Sequence, residues 1–185
     1  MHPLEKFKFC PVCGSSHFET DSAKSNKCRN CGFEYFVNPS SANVAIILNE
    51  RGELLVERRK REPAKGTLDL PGGFADMSET AEEGVIREVM EETGLEVTHT
   101  RYLFSLPNIY RYSDMDIPTL DIFFRCEVKD TTTVKAGDDA AECIWMPLEE
   151  IHTEQFGLRS IRQGLFDFIT SLRNSGDGSP LSFGR

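Results

Sequence analysis

The sequence predicts an α/β fold, an α/β/α sandwich around a mixed sheet, preceded by a small ribbon with four cysteines. Three observations carry this prediction. Two Cys-x-x-Cys-Gly knuckles stand near the start of the chain, an apolar run follows them, and a helix with clear capping signals occupies the middle. With 185 residues and a hydrophobic content of 39%, the chain can form one domain of ordinary size and a small appendage.

The first 38 residues contain both knuckles, separated by 14 residues. Each knuckle can present two thiolates from one tight turn, because the glycine after its second cysteine permits a positive φ. Four thiolates satisfy tetrahedral Zn²⁺, with iron or unmetallated thiols as the alternatives. The predicted zinc ligands are Cys10, Cys13, Cys28 and Cys31. Five aromatic residues are predicted to form a small core around the metal rather than a surface for base stacking: Phe7, Phe9, Phe33, Tyr35 and Phe36.

A linker at residues 38–41 leads to the first strand of the larger domain. Residues 43–48 are apolar at nearly every position, which is typical of a strand buried on both faces. A turn at residues 49–52 follows, and residues 53–57 are predicted to return as its hairpin partner.

The best-defined helix is predicted for residues 81–93. Thr80 and Glu83 have the spacing of a capping box, and Gly94 stands where a left-handed residue ends a helix. At 100° per residue one face is apolar, and it comprises Ala81, Val85, Ile86, Val89 and Met90. Three glutamates, Glu88, Glu91 and Glu92, form an arc beside that face.

This acidic arc is unfavourable for an isolated helix. Like charges three or four residues apart destabilise a helix by about 0.2–0.5 kcal/mol per pair. No Lys or Arg stands three or four residues C-terminal to any of the three glutamates. The arc is therefore either a solvated acidic face or a site for a divalent cation, since Mg²⁺ takes oxygen ligands and is commonly held by a few carboxylates.

Residues 73–95, GFADMSETAEEGVIREVMEETGL, resemble the signature of the Nudix hydrolases. The matching residues are Gly73, Glu79, Arg87, Glu88, Glu91, Glu92, Gly94 and Leu95. The resemblance implies hydrolysis of a nucleoside diphosphate linked to another moiety. It also implies Mg²⁺ or Mn²⁺ held by Glu88, Glu91 and Glu92, with Arg87 and Glu79 supporting the site. Gly72 and Gly73 are expected to shape the loop that enters it.

The remaining elements follow from periodicity. Strands are predicted at residues 102–106, 119–128 and 142–146, with a loop at 129–141 that includes Asp138 and Asp139. A final amphipathic helix is predicted to begin near Leu158, and residues 174–185 are predicted to form a flexible tail. The predicted domains are the ribbon at 1–38, the hydrolase domain at 39–173 and this tail.

The sequence constrains the identity of the substrate less than it constrains the fold. A zinc ribbon before such a domain resembles the NADH pyrophosphatases, which carry Ser-Gln-Pro-Trp soon after the signature. Here the stretch at 105–108 is Ser-Leu-Pro-Asn, so the Gln and the Trp are replaced. A Pro at this distance is similar to ADP-ribose pyrophosphatases, and an ADP-ribose-like substrate is favoured. The candidate substrate contacts are Arg58, Asn108, Tyr110, Tyr112 and Glu142.

Several alternatives stay open at this point. They are an NAD(H) pyrophosphatase, a dinucleoside polyphosphate hydrolase, a nucleoside triphosphate hydrolase, an RNA-end enzyme that grips RNA through the ribbon, and a nucleotide-sensing regulator without catalysis. The base that deprotonates water is also open among Glu88, Glu91, Glu92, Glu142 and an Asp of the 129–141 loop.

Composition narrows the partners and the location. The net charge is −9, of which residues 1–38 contribute +1 and the remainder −10, so nucleic acid is not an expected partner. No leader-like start and no run of 18 apolar residues is found, which favours a cytoplasmic protein without membrane contact. A homodimer is compatible with the sequence.

Overall fold

The computed structural model describes residues 2–137 and 140–174, and within them the chain forms two compact units. One unit contains the chain up to Pro39 together with Ile109–Pro118. The other contains Ser40–Asn108 and the chain from Thr119 onward. Asp138, Asp139 and the predicted tail beyond Asn174 lie outside the described residues. Neither described α-helix has the length and apolar character needed to cross a membrane.

The N-terminal unit contains a three-stranded antiparallel sheet. Its strands are β1 (Phe18–Ser22), β2 (Ser25–Cys28) and β3 (Glu34–Phe36), in that order across the sheet. Its small core consists of Cys10, Phe18 and Cys28, with Phe33 packed against them. The predicted aromatic core is therefore wrong for four of its five members, which are exposed to solvent: Phe7, Phe9, Tyr35 and Phe36.

The described part of the second unit contains two sheets and two α-helices, and two of its strands continue into the Ile109–Pro118 segment of the N-terminal unit. The strands are β4 (Ser40–Ile47), β5 (Leu54–Arg59), β6 (Leu68–Asp69), β7 (Gly72–Phe74), β8 (Val97–Tyr112), β9 (Met115–Val128) and β10 (Ala140–Met146). The helices are α1 (Ala81–Thr93) and α2 (Arg159–Asn174). One sheet has the order β7-β4-β9-β8 and the other β10-β5-β6. Because β4 runs antiparallel to β7 and parallel to β9, the first sheet is mixed, as predicted.

Strand β4 explains why a helix packs on each side of the sheet. Successive side chains of a strand point to opposite faces. Val44 and Ile46 join the apolar cluster that contains Leu165 and Phe168 of α2. Ala45 and Ile47 join the cluster that contains Val85 and Val89 of α1. The prediction of a strand buried on both faces, inside an α/β/α sandwich, is thus confirmed.

The predicted hairpin between residues 43–48 and 53–57 is wrong. The chain does reverse there, and Leu48 and Leu54 form a single antiparallel bridge. Beyond that bridge β4 pairs with β7 and β9, whereas β5 pairs with β6 and β10. Strand β4 already has a partner on each edge, so β5 continues in the other sheet.

Strand β8 is much longer than the predicted strand at residues 102–106. It continues through Pro107 to Tyr112, where Ser113 and Asp114 turn the chain into β9. Both turn residues have positive φ, 48° and 58°, as a two-residue type I′ hairpin turn requires. Pro107 is compatible with β8 because this strand lies at the edge of the sheet. Asn108, Tyr110 and Tyr112 therefore belong to a strand and not to a loop.

Helix α1 has the predicted ends but a narrower apolar face. Thr80 Oγ1 accepts from Glu83 N at 3.2 Å and Glu83 Oε2 accepts from Thr80 N at 2.8 Å, which completes the capping box. Gly94 is the left-handed C-cap. Among the predicted apolar residues, Ile86 and Met90 remain exposed. Only the side of the helix that faces β4 is fully buried.

Candidate active site

The Arg87 guanidinium is the centre of the site. Its Nε and Nη2 donate to the two carboxylate oxygens of Glu79 at 3.0 and 2.7 Å. Its Nη1 donates to Glu88 Oε1 at 2.8 Å and Glu91 Oε2 at 3.2 Å, and Nη2 also reaches the Phe74 carbonyl at 3.1 Å. Arg87 therefore fixes two glutamates of the acidic arc and ties the helix to the loop before it.

Arg87 is also the cationic partner that residue spacing alone did not reveal. A stabilising cation was expected C-terminal to the three glutamates, whereas Arg87 lies four residues N-terminal to Glu91. Its bidentate hydrogen bonds lower the pKa of Glu79 to about 2, so Glu79 is ionised at neutral pH. Glu79 Oε1 additionally accepts from Asp76 N at 2.6 Å, which holds the loop that leads into α1.

The Gly72-Gly73 pair brings β7 unusually close to α1. Gly72 N donates to Glu92 Oε2 at 2.7 Å. A Cβ at Gly73 would lie 2.6 Å from Glu88 Oε1, and a Cβ at Gly72 would lie 2.0 Å from the Asn43 carbonyl oxygen. A side chain at Gly73 would displace Glu88, and one at Gly72 would push β7 away from the backbone of β4.

Two buried carboxyl groups of neighbouring strands were missed from sequence, Glu57 on β5 and Asp69 on β6. They face each other in the β5–β6 register, and only 5% of Glu57 and 7% of Asp69 is exposed. Burial, and then the charge of Asp69, raises the pKa of Glu57. Burial, and then the charge of Glu57, raises the pKa of Glu92. The one sequence signal for the burial of Glu57 was its position two residues after Leu55, because residues two apart on a strand lie on the same face.

The site therefore contains more acidic than basic side chains. Seven carboxyl groups, that of Asp76 included, lie around two guanidinium groups, Arg87 and the Arg59 that pairs with Asp69. Burial is the largest cause of the raised pKa of Glu57, Glu88 and Glu92. The protein's own groups do not offset the cost of burying these charges, and hard oxygen donors in excess suit a divalent cation.

The carboxylate oxygens are not converged, however. Within residues 2–137 and 140–174 only the four cysteines bring three or more possible ligand atoms within 4.8 Å of one another. Glu88 and Glu91 are held by Arg87, while Glu92 is held by Gly72. The donor set fits Mg²⁺ or Mn²⁺ by its chemistry, and the side chains would have to reorient to share one ion.

The N-terminal unit holds the four-cysteine cluster. The Sγ atoms of Cys10 and Cys31 are 3.7 Å apart, and those of Cys13 and Cys28 are 3.6 Å apart. Four sulfurs at about 2.3 Å from a tetrahedral Zn²⁺ would be about 3.8 Å apart. A backbone hydrogen bond from Ser15 lowers the pKa of Cys13 to about 6, whereas burial and the neighbouring thiols raise the pKa of Cys31 to about 12. Adjacent thiols cannot all ionise without a cation, and a bound Zn²⁺ would supply that charge. The cluster thus fits zinc in both its spacing and its chemistry.

Residues 38–166 match the family described as NUDIX domain, which covers more than half of the chain. The chain belongs to the NUDIX domain family. This result, together with the mixed sheet and the resemblance of residues 73–95, confirms the predicted fold and family.

Curated NUDIX relatives differ in what they are named for. An ADP-ribose pyrophosphatase of Methanocaldococcus jannaschii is 36% identical over 121 residues, 64% of this chain and 68% of that protein. A NAD-capped RNA hydrolase NudC of Haemophilus influenzae is 34% identical over 117 residues, 62% of this chain and 44% of the relative. The NudC of Deinococcus radiodurans is 29% identical over 175 residues, 92% of this chain and 59% of the relative. The chain therefore spans less than half the length of the Haemophilus relative.

Solved NUDIX structures share the fold. A NUDIX hydrolase of Nitrosomonas europaea has a TM-score of 0.71 and 22% identity, with 94% of each chain covered. A MutT protein of Methanosarcina mazei has a TM-score of 0.56 and 28% identity, covering 76% of this chain and 97% of the other.

The predicted substrate contacts of this NUDIX chain are dispersed. Arg58 donates through Nε to Glu142 Oε1 at 2.6 Å, directly across the β5–β10 pair. Asn108 is buried and donates to Asp121 Oδ2 at 3.1 Å. Tyr110 and Tyr112 belong to the N-terminal unit. Their roles toward a substrate stay predictions.

A buried polar network around Asp121 was also missed from sequence. Thr119 Oγ1 donates to Asp121 Oδ1 at 2.6 Å, and Asn108 and Ser160 donate to Oδ2. All four residues are buried, and they join β8, β9 and the start of α2. Three neutral donors thus bind the carboxyl group of Asp121 between two strands of the NUDIX sheet and α2.

Proposed function

We propose that this chain hydrolyses the diphosphate linkage of a nucleoside diphosphate derivative with the help of Mg²⁺ or Mn²⁺, and that an ADP-ribose-like molecule is its substrate. The observation that carries the proposal is the Arg87 centre. One guanidinium positions Glu79, Glu88 and Glu91, while the neighbouring Gly72 N–H positions Glu92. The excess of buried carboxyl groups supports a cation at this place.

Glu88, Glu91 and Glu92 would hold the cation. The carboxyl group of Glu57 interacts with that of Glu92 and would add negative charge beside the cation. A divalent cation bound there lowers the pKa of water and offsets the negative charge of phosphoryl oxygens. Arg87 and Glu79 keep the glutamates in place before substrate binds, so less reorganisation is needed during the reaction.

The proton acceptor is best placed on α1. Glu92 is half-buried, and its Oε2 is fixed by Gly72 N at 2.7 Å, so its carboxylate is held in one position beside the proposed cation. Glu142, the sequence-derived alternative, is paired with Arg58 on β5. Asp138 and Asp139 lie outside the described residues. We therefore assign the base to Glu92.

An ADP-ribose-like substrate is supported by two facts. The stretch at residues 105–108 lacks the Gln and Trp of the NADH pyrophosphatase pattern. The Methanocaldococcus relative, named as an ADP-ribose pyrophosphatase, shares 36% of its aligned residues with this chain. The second candidate substrate is NAD(H), free or as the end group of an RNA. It is favoured by the Deinococcus NudC, whose alignment covers 92% of this chain and must therefore include part of the ribbon.

A substrate panel tests this choice. ADP-ribose, NADH, NAD⁺, diadenosine polyphosphates, nucleoside triphosphates and NAD-capped RNA would be assayed with Mg²⁺ and with Mn²⁺. We expect a higher kcat/KM for ADP-ribose than for NADH. A preference of about tenfold or more for NADH, which corresponds to roughly 1.4 kcal/mol in transition-state binding, would contradict the assignment and favour the second candidate.

The catalytic helix gives a separate test. Glu88→Gln, Glu91→Gln and Glu92→Gln keep side-chain shape and remove charge, and each should lower kcat, at least one by about 100-fold or more. Added Mg²⁺ should raise the melting temperature of wild type more than that of these variants, because only a state that binds the ion is stabilised by it. Glu82→Gln, in the exposed first turn of α1, is the matched control. Wild-type rates in all three variants would show that the acidic arc is a solvated face.

A further inference from the structure

The N-terminal unit exposes aromatic rings that neither zinc binding nor hydrolysis explains. Phe7 is 40% exposed, Phe9 63% and Tyr35 44%. We propose that this surface binds single-stranded polynucleotide, with the Phe7 and Tyr35 rings as a platform on which a base stacks. The proposal does not depend on the hydrolytic function.

The two rings already have the geometry of a stacking surface. Their centroids are 6.4 Å apart and their planes differ by 25°, within the range of offset aromatic pairs. Tyr35 is fixed by strand β3, and Phe7 follows a turn in which Phe7 N donates to the carbonyl of the buried Leu4 at 2.9 Å. Little ordering would therefore be needed when a flat base adds to the rings.

The charges around the platform suit a phosphate backbone. Lys6 and Lys8 flank Phe7 in the chain, are exposed, and make no ion pair within the described part of the chain. The acidic side chains Glu19, Asp21 and Glu34 are each paired with Arg29 or Lys27. Glu5 is the one acidic residue of the described ribbon without such a partner. Asp114 and Asp116, which belong to the same unit, pair with Arg111. Among the described groups beside the rings, two unpaired lysines therefore stand against one unpaired carboxylate, that of Glu5.

Composition favours a polynucleotide over a protein partner. Protein interfaces are enriched in aromatic residues but depleted in lysine, whereas proteins that bind single strands combine aromatic platforms with basic side chains. Residues beyond 38 carry a net charge of −10 against +1 for residues 1–38, so an anionic strand is repelled elsewhere. Screening over about 10 Å at roughly 0.1 M salt limits that repulsion at the ribbon.

The test measures binding of the zinc-loaded full chain to fluorescent oligo(U) and oligo(dT) without Mg²⁺, so that no hydrolysis is required. Phe7→Leu/Tyr35→Leu removes the aromatic faces and keeps apolar bulk, and it should weaken binding about tenfold or more. Lys6→Gln/Lys8→Gln should make the salt dependence shallower, by about 0.7 in the log–log slope for each lysine that neutralises a phosphate. Tighter binding of oligo(U) than of oligo(dT) would indicate an additional hydrogen bond to the 2′-hydroxyl. Equal affinities would indicate that the bases bind by stacking alone.

Matched controls come from the second unit. Phe166→Leu removes an equally exposed ring from α2, and Lys129→Gln removes an exposed charge after β9; neither should change binding. Tyr35→Phe keeps the ring and should retain binding. Zinc content and melting temperature establish that each variant is folded.

Three outcomes would overturn the proposal. The first is that zinc-loaded wild type does not bind the oligonucleotides at about 50 mM salt. The second is that the Phe7→Leu/Tyr35→Leu variant binds them as tightly as wild type. The third is that this variant loses a dimer seen by sedimentation of wild type while its oligonucleotide affinity is unchanged. The last result would identify the aromatic surface as an interface between two copies of the chain.

Discussion

At the scale of single residues, the buried carboxyl group of Glu57 is an unfavourable feature of the site. It is almost fully buried beside Glu92 and Asp69, and its nearest cation, Arg59, is paired with Asp69. Glu57→Gln keeps the shape and removes a carboxyl group whose pKa burial raises to about 8, a shift that destabilises the fold wherever the unfolded chain would be ionised. We expect the metal-free variant to melt at a higher temperature, by about 2–4 °C for each kcal/mol gained. Differential scanning calorimetry in EDTA measures this.

The matched control is Glu127→Gln, on an exposed position of β9, which should leave the melting temperature unchanged. With Mg²⁺ added, the order should reverse, because wild type then has one more carboxylate to stabilise the ion. A Glu57→Gln variant that is less stable than wild type in EDTA would show that the charge is already compensated within the protein.

At the scale of elements, the packing of α1 on β4 requires a glycine near the N-terminus of the helix. Alanine normally stabilises a helix relative to glycine by about 1 kcal/mol. At Gly84 the added Cβ would lie 2.3 Å from Asn43 Nδ2 and 2.8 Å from Glu79 Oε1. Asn43 is buried and Glu79 is clamped by Arg87, so neither can move easily. We expect Gly84→Ala to destabilise by about 1–3 kcal/mol, measured by urea denaturation.

A double-mutant cycle separates the steric conflict from helix propensity. Asn43 has no hydrogen-bond partner for either side-chain atom within the described residues, so Asn43→Ala removes an unsatisfied amide. The double variant Asn43→Ala/Gly84→Ala should be more stable than Gly84→Ala alone. Equal stabilities of these two variants would mean that Asn43 is not the obstacle.

The elements that could be predicted from sequence are those specified by local signals. The capping box, the C-cap at Gly94 and the apolar run of β4 depend on residues a few positions apart. The partner of β5 depends on β10, roughly 80 residues later, and no local pattern specifies that pairing. For the same reason Glu57 and Asp121 were missed, since each acquires its environment from distant strands and helices.

The exposed aromatic residues of the ribbon follow from its size. A sheet of three short strands encloses little volume, and two cysteines, Cys10 and Cys28, fill part of it. Sequence hydrophobicity alone predicts burial of every ring, although the small core accommodates Phe18 and Phe33. A metal ion held by the four cysteines would replace the apolar core that a unit of this size cannot build.

At the scale of the whole molecule, the two units should differ in what stabilises them. The second unit has two apolar clusters, whereas the N-terminal unit has a core of only four residues, two of them cysteines. Cys28→Ser should abolish the stoichiometric zinc, about one ion per chain, and unfold the N-terminal unit at a lower temperature. Calorimetry should then show a separate first transition, while the transition of the second unit stays near its wild-type temperature.

In Cys28→Ser, the rate of hydrolysis per folded chain should fall less than the stability of the N-terminal unit does. The reason is that every residue of the Arg87 centre lies in the second unit. Cys126→Ala is the matched control, since it removes a buried thiol outside the cluster and should leave the zinc content unchanged. A freshly purified wild type without zinc, or a Cys28→Ser variant that retains a full equivalent, would contradict a structural zinc in this ribbon. Loss of hydrolysis in step with loss of zinc would instead assign the ribbon a direct part in the reaction.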